Sequence, residues 1–197
     1  MYQKYFKNIL DFNLAFFILF ILSPIILIIY LYLFYLIGSP IFYQKRGGYK
    51  NKVFTLLKFK TLIDKECHNF NGKKRLFKFG SFLRITGLDE LPQLFNILKG
   101  DISFVGPRPL IKKYLKIKEF RRHPRSKCKP GITGLAQISN ISQRSKWKMQ
   151  FRLDKEYYIN LSFFLDFKIT LKTFVKIFNS SKKDFHQEPR LVKNDLI

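Results

Sequence analysis

The apolar residues of this chain are concentrated in one stretch near the N-terminus. Residues 12–37 are almost all Leu, Ile, Phe and Tyr, and no charged residue occurs between Phe12 and Gln44. A helix over this stretch would be about 39 Å long at ~1.5 Å per residue, enough to cross a hydrocarbon core of ~30 Å. The stretch is too long for the apolar part of a signal peptide, and no small-residue cleavage site follows it. We therefore predict a membrane segment that the protein retains.

The dipeptide Ser23-Pro24 interrupts this stretch near its middle. Proline lacks a backbone donor and clashes with the carbonyl four residues earlier, so a helix should bend there, and the Ser23 hydroxyl can satisfy the freed carbonyl. Two arrangements remain open: a kinked helix that spans the membrane, or a re-entrant hairpin (helix, break, helix) that enters and leaves at one face. Both flanks are basic and positive charge prefers the cytoplasmic side, which favours the re-entrant arrangement. The flanking cations are Lys4 and Lys7 before the stretch and Lys45, Arg46, Lys50 and Lys52 after it.

The remainder of the chain predicts an α+β fold that is mainly helical. Two segments, Ile41–Lys45 and Val53–Phe59, flank a basic loop that contains Gly47-Gly48, and this pattern predicts a small β-hairpin. Helical patterns cover 76–83, 89–99, 110–122, 145–160 and 163–178, and turn-forming residues predict loops over 64–74, 106–109 and 129–134. We divide the chain into a membrane segment (1–38), a folded domain (39–180) and a loosely held tail (181–197).

The last predicted helix carries a basic stripe formed by Lys168, Lys172 and Lys176, spaced four residues apart. Phenylalanine and other apolar residues occupy its remaining faces. Such a helix can pack one face against a core and leave a solvated lysine edge. It can also lie in the lipid interface, where its lysines meet anionic head groups. The sequence leaves both interpretations open.

The composition is strongly basic: 37 Lys and Arg stand against 13 Asp and Glu, giving a formal charge of +24. This charge implies a polyanionic partner, which can be nucleic acid, an anionic lipid surface or a phosphorylated substrate. No nucleic-acid-binding motif is recognisable and the basic residues are spread along the chain, so a membrane-tethered nucleic-acid-binding protein is the weaker alternative. The two cysteines, Cys67 and Cys128, form no CxxC motif and fit a reducing cytosol.

Asp89-Glu90 is the only pair of adjacent acidic residues in the sequence. An acid at a helix N-terminus is often simply a cap, because it suits the first backbone amides and the helix dipole. The same helix end attracts phosphate, and there an ionised Asp can attack phosphorus while a second acid holds Mg²⁺. Three cations can neutralise a diphosphate near the pair, although each alone is equally well explained as a surface charge. They are Lys60, Arg84 and Arg108, the last of which stands between two prolines.

The acid pair lies in a motif that resembles a known family. The segments Leu-Asp-Glu-Leu-Pro-Gln (88–93) and Asp-Ile-Ser-Phe-Val-Gly-Pro-Arg-Pro (101–109) resemble the signature of bacterial sugar transferases, the small monotopic polyprenyl-phosphate phosphoglycosyl transferases. The similarity continues in 44–48, 58–61 and 129–137 and includes the apolar stretch with its Ser-Pro pair. It extends from about Tyr2 to about Phe178. Each motif is short, but together they are highly specific.

The resemblance implies an enzyme that moves a phospho-sugar from a UDP-sugar to polyprenol phosphate and releases UMP, as the first membrane step of bacterial glycoconjugate assembly. Asp89 matches the nucleophile, which would carry the phospho-sugar covalently. Glu90 matches its partner acid, in Mg²⁺ binding or in proton handling. The positions that match substrate-binding residues are Lys60, Arg84, Arg108 and Asp166.

The resemblance also implies a location and leaves the sugar open. It favours a re-entrant segment broken at Ser23-Pro24, so that a catalytic domain with interfacial amphipathic helices lies on the cytosolic face of the cytoplasmic membrane, in contact with membrane lipids and not with nucleic acid. The chain departs from the usual motifs at Gly47-Gly48, where Pro-Gly is common, and at Leu135, where Trp is common. The segment around Leu135 is a candidate for sugar or nucleotide selection, so the sequence does not predict which UDP-sugar is used.

Overall fold

The computed structural model describes residues 2–63, 76–139 and 146–179, and within these ranges the protein is mainly helical with a small amount of sheet, as predicted. The predicted loop 64–74 and the predicted tail 181–197 lie outside the described residues. The helices are α1 (Lys7–Ile37), α2 (Lys78–Thr86), α3 (Gln93–Leu98), α4 (Lys118–Arg122), α5 (Leu135–Ile138), α6 (Lys146–Ile159) and α7 (Phe163–Asn179). The strands are β1 (Ile41–Gly47), β2 (Val53–Phe59), β3 (Ser103–Val105), β4 (Leu110–Ile111) and β5 (Gly131–Thr133).

The long helix α1 continues through Ser23 and Pro24, so the predicted division into two helices is not seen. The Ser23 hydroxyl donates a hydrogen bond of 2.8 Å to the carbonyl of Phe20, the carbonyl that Pro24 leaves without an amide donor. The expected partner of that carbonyl is therefore confirmed, and it explains how the helix proceeds past proline. Gly38 ends the helix in the left-handed region at φ 67°, and its amide donates to the carbonyl of Phe34.

One narrow stripe of α1 packs against the rest of the protein along nearly the whole length of the helix. Its members recur every three or four residues, the spacing of a single helix face. The stripe comprises Lys7, Asp11, Ala15, Ile18, Leu22, Ile26, Ile29, Leu33 and Ile37. The other faces are exposed and apolar. Within the described residues, α1 is the one helix long and apolar enough to cross a membrane.

The hairpin predicted from sequence is confirmed: β1 and β2 pair antiparallel, with Ile41 opposite Phe59. The outer edge of β2 bonds to α3, because the side chain of Asn96 accepts from the Leu57 amide (3.0 Å) and donates to the Thr55 carbonyl (2.8 Å). This edge is thereby satisfied without a further strand, and α3 is fixed against the hairpin.

The region predicted as one helix over 110–122 is instead divided. Leu110 pairs with Gly47, so β4 adds a third strand to the hairpin. A 3₁₀ turn over Lys112–Lys116 follows, and only the short α4 is α-helical. The helical pattern was misleading here because pairing with β1 outweighs the local helix propensity of these residues.

The segment predicted as a turn-rich loop over 129–134 contains β5, which runs parallel to β3. The two backbones approach so closely that a Cβ on Gly131 would lie 2.1 Å from the amide nitrogen of Gly106. Only glycine fits such an approach. Gly106 and Gly131, which the sequence indicated as turn residues, therefore allow β3 and β5 to pack closely, two residues before Arg108.

The C-terminal helices α6 and α7 agree with the predicted spans and pack against each other through Tyr157 and Ile169, both fully buried. Helix α7 therefore packs one face against the core, as the first of the two interpretations of its sequence predicted. Its other side is an exposed apolar surface rather than a purely solvated lysine edge. That surface comprises Phe163, Phe164, Phe167, Leu171, Phe174 and Val175.

Candidate active site

The acid pair lies in a tight 3₁₀ turn, Leu88–Glu90, between α2 and α3. Helix α2 ends at Gly87, whose φ of 73° is readily adopted by glycine and turns the chain sharply. Asp89 does not cap α3 as predicted, since α3 begins at Gln93 and no side chain caps either element. The turn instead directs the Asp89 side chain inward, where it is 4% exposed.

Burial and nearby charges set the ionisation of Asp89. The pKa of Asp89 is raised to about 6, mainly because the carboxyl is removed from water and also because the Glu90 carboxylate lies nearby, while Lys58 and Arg84 act in the opposite direction. The Oδ1 atom is buried without a hydrogen-bond partner. Asp89 is therefore mostly ionised at neutral pH and carries an unsatisfied acceptor, which is costly for a purely structural residue.

Glu90 forms a short ion pair with Lys58, which projects from β2. Sequence reasoning had selected Lys60 from the same Lys-Phe-Lys-Thr segment and missed Lys58. Residues two apart along a strand point to the same side, so the spacing of Lys58 and Lys60 does not show which of them faces the acid pair. β2 ends at Phe59, and the Lys60 ammonium bonds to the Ser39 hydroxyl at 2.8 Å. The cation that the structure brings to the acid pair is Lys58.

The two arginines predicted at the site are placed differently. Arg84 lies near enough to lower the pKa of Asp89, and its Nε donates to the Thr61 hydroxyl at 2.7 Å. Arg108 follows β3 in the non-helical segment Gly106–Pro109, as predicted, and borders a cavity that Glu90 also lines. The structure therefore brings Arg84 to Asp89, and Arg108 to the cavity beside Glu90.

This cavity has a volume of about 420 Å³ and is lined by both charged and apolar residues. Its volume is within the ~300–1,000 Å³ typical of small-molecule sites. Polar lining comes from Thr86, Glu90, Arg108, Thr133, Gln137, Thr173 and Lys176. Apolar lining comes from Ile18, Ile85, Leu91, Leu94, Phe104, Ile132 and Ile138, together with Gly87. Asp89 is buried and is not among these lining residues. The participation of Ile18 means that the apolar helix α1 forms part of the cavity.

Asp166, predicted to bind substrate, lies elsewhere and does not line this cavity. Its carboxylate is buried and accepts hydrogen bonds from Tyr2 (2.8 Å) and Tyr157 (2.7 Å) and an ion pair from Lys7 (2.5 Å). These three donors occupy its oxygens, so the structure gives Asp166 the role of joining α7 to the start of α1. A contact between Asp166 and substrate stays a prediction.

The acid pair fits a Mg²⁺ site that is completed by substrate. Among the described residues, no group of three or more His, Cys, Asp or Glu side chains could hold a metal by itself. Mg²⁺ is commonly held by one or two carboxylates together with waters and substrate phosphates. The unpartnered Oδ1 of Asp89 and the adjacent Glu90 supply such a donor set. The residues present are thus compatible with a metal that binds with a phosphorylated ligand.

Comparison with known proteins places the chain in one family, because it matches the model for "Bacterial sugar transferase" over residues 2–180. The uncharacterized sugar transferase EpsL of Bacillus subtilis (strain 168) is 44% identical over 175 residues, covering 87% of this chain and 86% of that protein. The UDP-glucose:undecaprenyl-phosphate glucose-1-phosphate transferase of Klebsiella pneumoniae is 36% identical over 194 residues, covering 88% of this chain and 40% of that protein. The galactosyl transferase CpsE of Streptococcus agalactiae is 37% identical over 153 residues, or 34% of its length.

The apolar helix, the charged cavity and these matches together define a membrane-associated transferase. The chain belongs to the bacterial sugar transferase family. It spans well under half the length of the Klebsiella and Streptococcus relatives, so what their names describe is a property of larger proteins.

Proposed function

We propose that this protein transfers a phospho-sugar from a UDP-sugar to polyprenol phosphate, giving polyprenyl-diphosphate sugar and UMP. The names of relatives from Klebsiella, Xanthomonas and Caulobacter describe such a transfer of glucose 1-phosphate to undecaprenyl phosphate. The observation that carries the proposal is the cavity itself. Its lining includes the charged residues Glu90 and Arg108 and also Ile18 of the membrane helix. A water-soluble diphosphate and a lipid phosphate can both reach such a site.

The proposed route passes through a covalent intermediate on Asp89. A carboxylate oxygen of Asp89 bonds to the sugar-bearing phosphorus as the bond from that phosphorus to the bridging oxygen breaks, and UMP leaves with the bridging oxygen. A phosphate oxygen of polyprenol phosphate then attacks the same phosphorus and releases the Asp89 carboxylate. Each step exchanges one P–O bond for another. The unpartnered Oδ1 and the ionised state of Asp89 at neutral pH support this assignment.

The surrounding residues neutralise and orient the reacting phosphates in this proposal. Lys58 holds Glu90 in place and keeps the pKa of Asp89 from rising further, and Arg84 has the same effect on Asp89. Arg108 binds the diphosphate by paired N–H donors. Mg²⁺, held by Asp89 and Glu90, would supply further neutralisation of phosphate charge. Lys60 remains a candidate for contact with the nucleotide.

Direct attack of polyprenol phosphate on the UDP-sugar would give the same products without an enzyme-bound intermediate. The two routes differ in one measurable exchange. The covalent route incorporates labelled UMP into UDP-sugar in the absence of acceptor, whereas direct attack does not.

The function is tested by incubating the purified protein with polyprenol phosphate, Mg²⁺ and a series of UDP-sugars. We expect at least one UDP-sugar to give UMP together with a lipid-linked product. Release of UDP instead of UMP would show simple glycosyl transfer and overturn the proposal. The same series identifies the sugar, which neither the fold nor the acid pair determines.

The raised pKa of Asp89 predicts the acid limb of the pH–rate profile. A nucleophilic carboxylate must be deprotonated, so kcat/KM should be high above about pH 6 and fall as the pH drops through that value. Because Lys58 favours the ionised form, Lys58→Met should move this limb to higher pH. Lys52→Met, an exposed lysine of the same hairpin, is the matched control. An unchanged limb in Lys58→Met would exclude Asp89 as the titrating group.

We further propose that both ends of α1 lie on the cytosolic side of the cytoplasmic membrane. At one end Lys7 pairs with Asp166, and at the other Leu33 packs with Phe59 and Leu83, so both ends contact the same folded domain. A helix that crossed the membrane would place one of its ends on the far side of the hydrocarbon core, away from that domain. The contacts therefore support an arrangement in which both ends of α1 stay on the same side of the membrane.

This topology is tested with cysteines placed before and after α1 in the chain, Gln3→Cys near its start and Lys50→Cys in the connection between β1 and β2, in a Cys67→Ser background. A membrane-impermeant thiol reagent should label both only after the cells are permeabilised. Labelling of Gln3→Cys alone in intact cells would show that α1 spans the membrane.

A further inference from the structure

Four apolar residues of the cavity lining, one of them from the membrane helix, belong to a single packed cluster. Ile18 of α1, Phe104 of β3 and Ile132 of β5 are partly buried against the same core cluster, which contains Leu94 of α3. All four residues also line the cavity. We call this surface the apolar wall. It is made by four separate elements, and one of them is the helix whose outer faces are exposed and apolar.

The cavity also has a polar side, formed by the lining residues that can hydrogen-bond. Thr133 and Thr173 share a hydrogen bond of 2.7 Å, and Lys176 donates to the Gln137 carbonyl at 2.9 Å. The Gln137 Oε1 atom is buried without a hydrogen-bond partner and can accept from a ligand hydroxyl. A sugar or nucleotide suits this side, because its hydroxyls and carbonyls can replace hydrogen bonds to water. The apolar wall offers no such partners.

We infer that the apolar wall is the binding subsite for the first isoprene units of the lipid acceptor, and that α1 is part of the substrate site as well as a membrane attachment. This inference rests on the proposed function. An amphiphile with a phosphate head can place the head at Arg108 and its chain against Ile18, Phe104 and Ile132. A volume of about 420 Å³ admits the head and the adjoining part of the chain. The rest of the chain stays in the lipid, which contacts the outer faces of α1.

The inference is tested with Ile18→Trp, which fills the space beside the wall, and with Ile21→Trp as the matched control. Ile21 lies three residues further along α1 but is 58% exposed and does not line the cavity. Steady-state KM values are measured separately for polyprenol phosphate and for the UDP-sugar. In Ile18→Trp the KM for polyprenol phosphate should rise about tenfold more than the KM for UDP-sugar, since apolar subsites discriminate by such factors. In Ile21→Trp neither value should change appreciably.

Three outcomes decide the matter. A selective loss of acceptor affinity in Ile18→Trp, repeated in Ile132→Phe on β5, supports the apolar wall as the acceptor subsite. Equal rises in both KM values, or the same effect in Ile21→Trp, overturn it. If the wild-type protein forms no lipid-linked product with any UDP-sugar, then the proposed function fails and not the subsite alone. Ile132 lies outside the membrane helix, so Ile132→Phe still tests the apolar wall as the acceptor subsite if Ile18→Trp fails to fold.

A second inference concerns two buried arginines that hold the backbone around Arg108. The Arg125 guanidinium donates to the carbonyl of Arg108 and pairs with Asp154 at 3.2 Å. Arg46 donates from Nη1 to the carbonyl of Pro109 at 2.9 Å. Both arginine side chains are nearly inaccessible to solvent. The backbone carbonyls of Arg108 and Pro109 are thus each held by a guanidinium group, at the point where Arg108 lines the cavity.

We propose that Arg46 and Arg125 are positioning residues that act through Arg108. A guanidinium binds a diphosphate well only if its planar donors are correctly placed, and a fixed backbone supplies that placement. Lysine at position 46 keeps the charge but cannot reproduce the planar donor geometry. Arg46→Lys should therefore lower kcat/KM for UDP-sugar about tenfold through a higher KM.

A double-mutant cycle tests whether the effect passes through Arg108. In an Arg108→Gln background, Arg46→Lys should change kcat/KM less than about twofold, because the group it positions is absent. Arg152→Lys, on the exposed side of α6, is the control for a generic Arg-to-Lys change. Additive losses from Arg46→Lys and Arg108→Gln would overturn the proposal. Arg125→Lys in the same two backgrounds serves as the replacement if Arg46→Lys fails to fold.

Discussion

Asp89→Asn is expected to lower phospho-sugar transfer by at least about 10⁴-fold, because an amide cannot act as the attacking oxygen. The loss should also remove any trapped, protein-bound phospho-sugar. Asparagine should fold at least as well as aspartate here, since it relieves the cost of burying a carboxylate that is 4% exposed. The measurements are UMP release and retention of label from a phosphate-labelled UDP-sugar on the denatured protein.

Glu119→Gln is the control for Asp89→Asn, because Glu119 is an exposed acid on the short helix α4. It should leave transfer unchanged. Full activity in Asp89→Asn would refute the nucleophile assignment. Partial activity without trapped label would favour direct attack by the acceptor.

Asp166→Asn is expected to destabilise the protein by roughly 3–5 kcal/mol, because it leaves the buried ammonium of Lys7 without a counter-charge. For a chain of this size, such a change lowers the midpoint of thermal unfolding by roughly 10 °C. The measurement is thermal unfolding in detergent, with Lys155→Met on the exposed side of α6 as control.

The competing interpretation of Asp166, contact with substrate, predicts a different result. It requires a raised KM at an unchanged midpoint. Replacing both partners, Lys7→Met with Asp166→Leu, should recover much of the lost stability, because apolar pairs can substitute for buried ion pairs. A double variant that is stable but has lost affinity for substrate would show that Asp166 contacts substrate.

Patterns confined to neighbouring residues were read correctly from the sequence. The strands of the hairpin flank a loop with two glycines, and α6 and α7 follow a helical pattern, so the structure confirms all four elements. The partner of the carbonyl before Pro24 was also foreseeable, because Ser23 is adjacent and its hydroxyl reaches one turn back. The continuity of α1 beyond that point was not foreseeable, since it depends on packing along the whole helix.

Features that depend on distant residues were missed or misread. Asp166 is joined to Tyr2 and Lys7, which lie at the other end of the chain. Lys58 rather than Lys60 pairs with Glu90 because of where β2 ends relative to the turn that carries the acid pair. The strand β4 forms by pairing with the edge of β1. Local preference cannot reveal such tertiary pairings. The segments that carry Arg84, Asp89-Glu90 and Arg108 are close in the sequence, and the roles of these residues in catalysis stay predictions.

The central claim is that phosphorus, and not only the sugar, moves to the lipid acceptor. It is tested most directly with a UDP-sugar labelled at the phosphorus next to the sugar, incubated with the purified protein, Mg²⁺ and polyprenol phosphate. We predict that the label enters the lipid product while unlabelled UMP is released. Label that remains with the nucleotide, as UDP, while the sugar alone reaches the lipid would contradict the account.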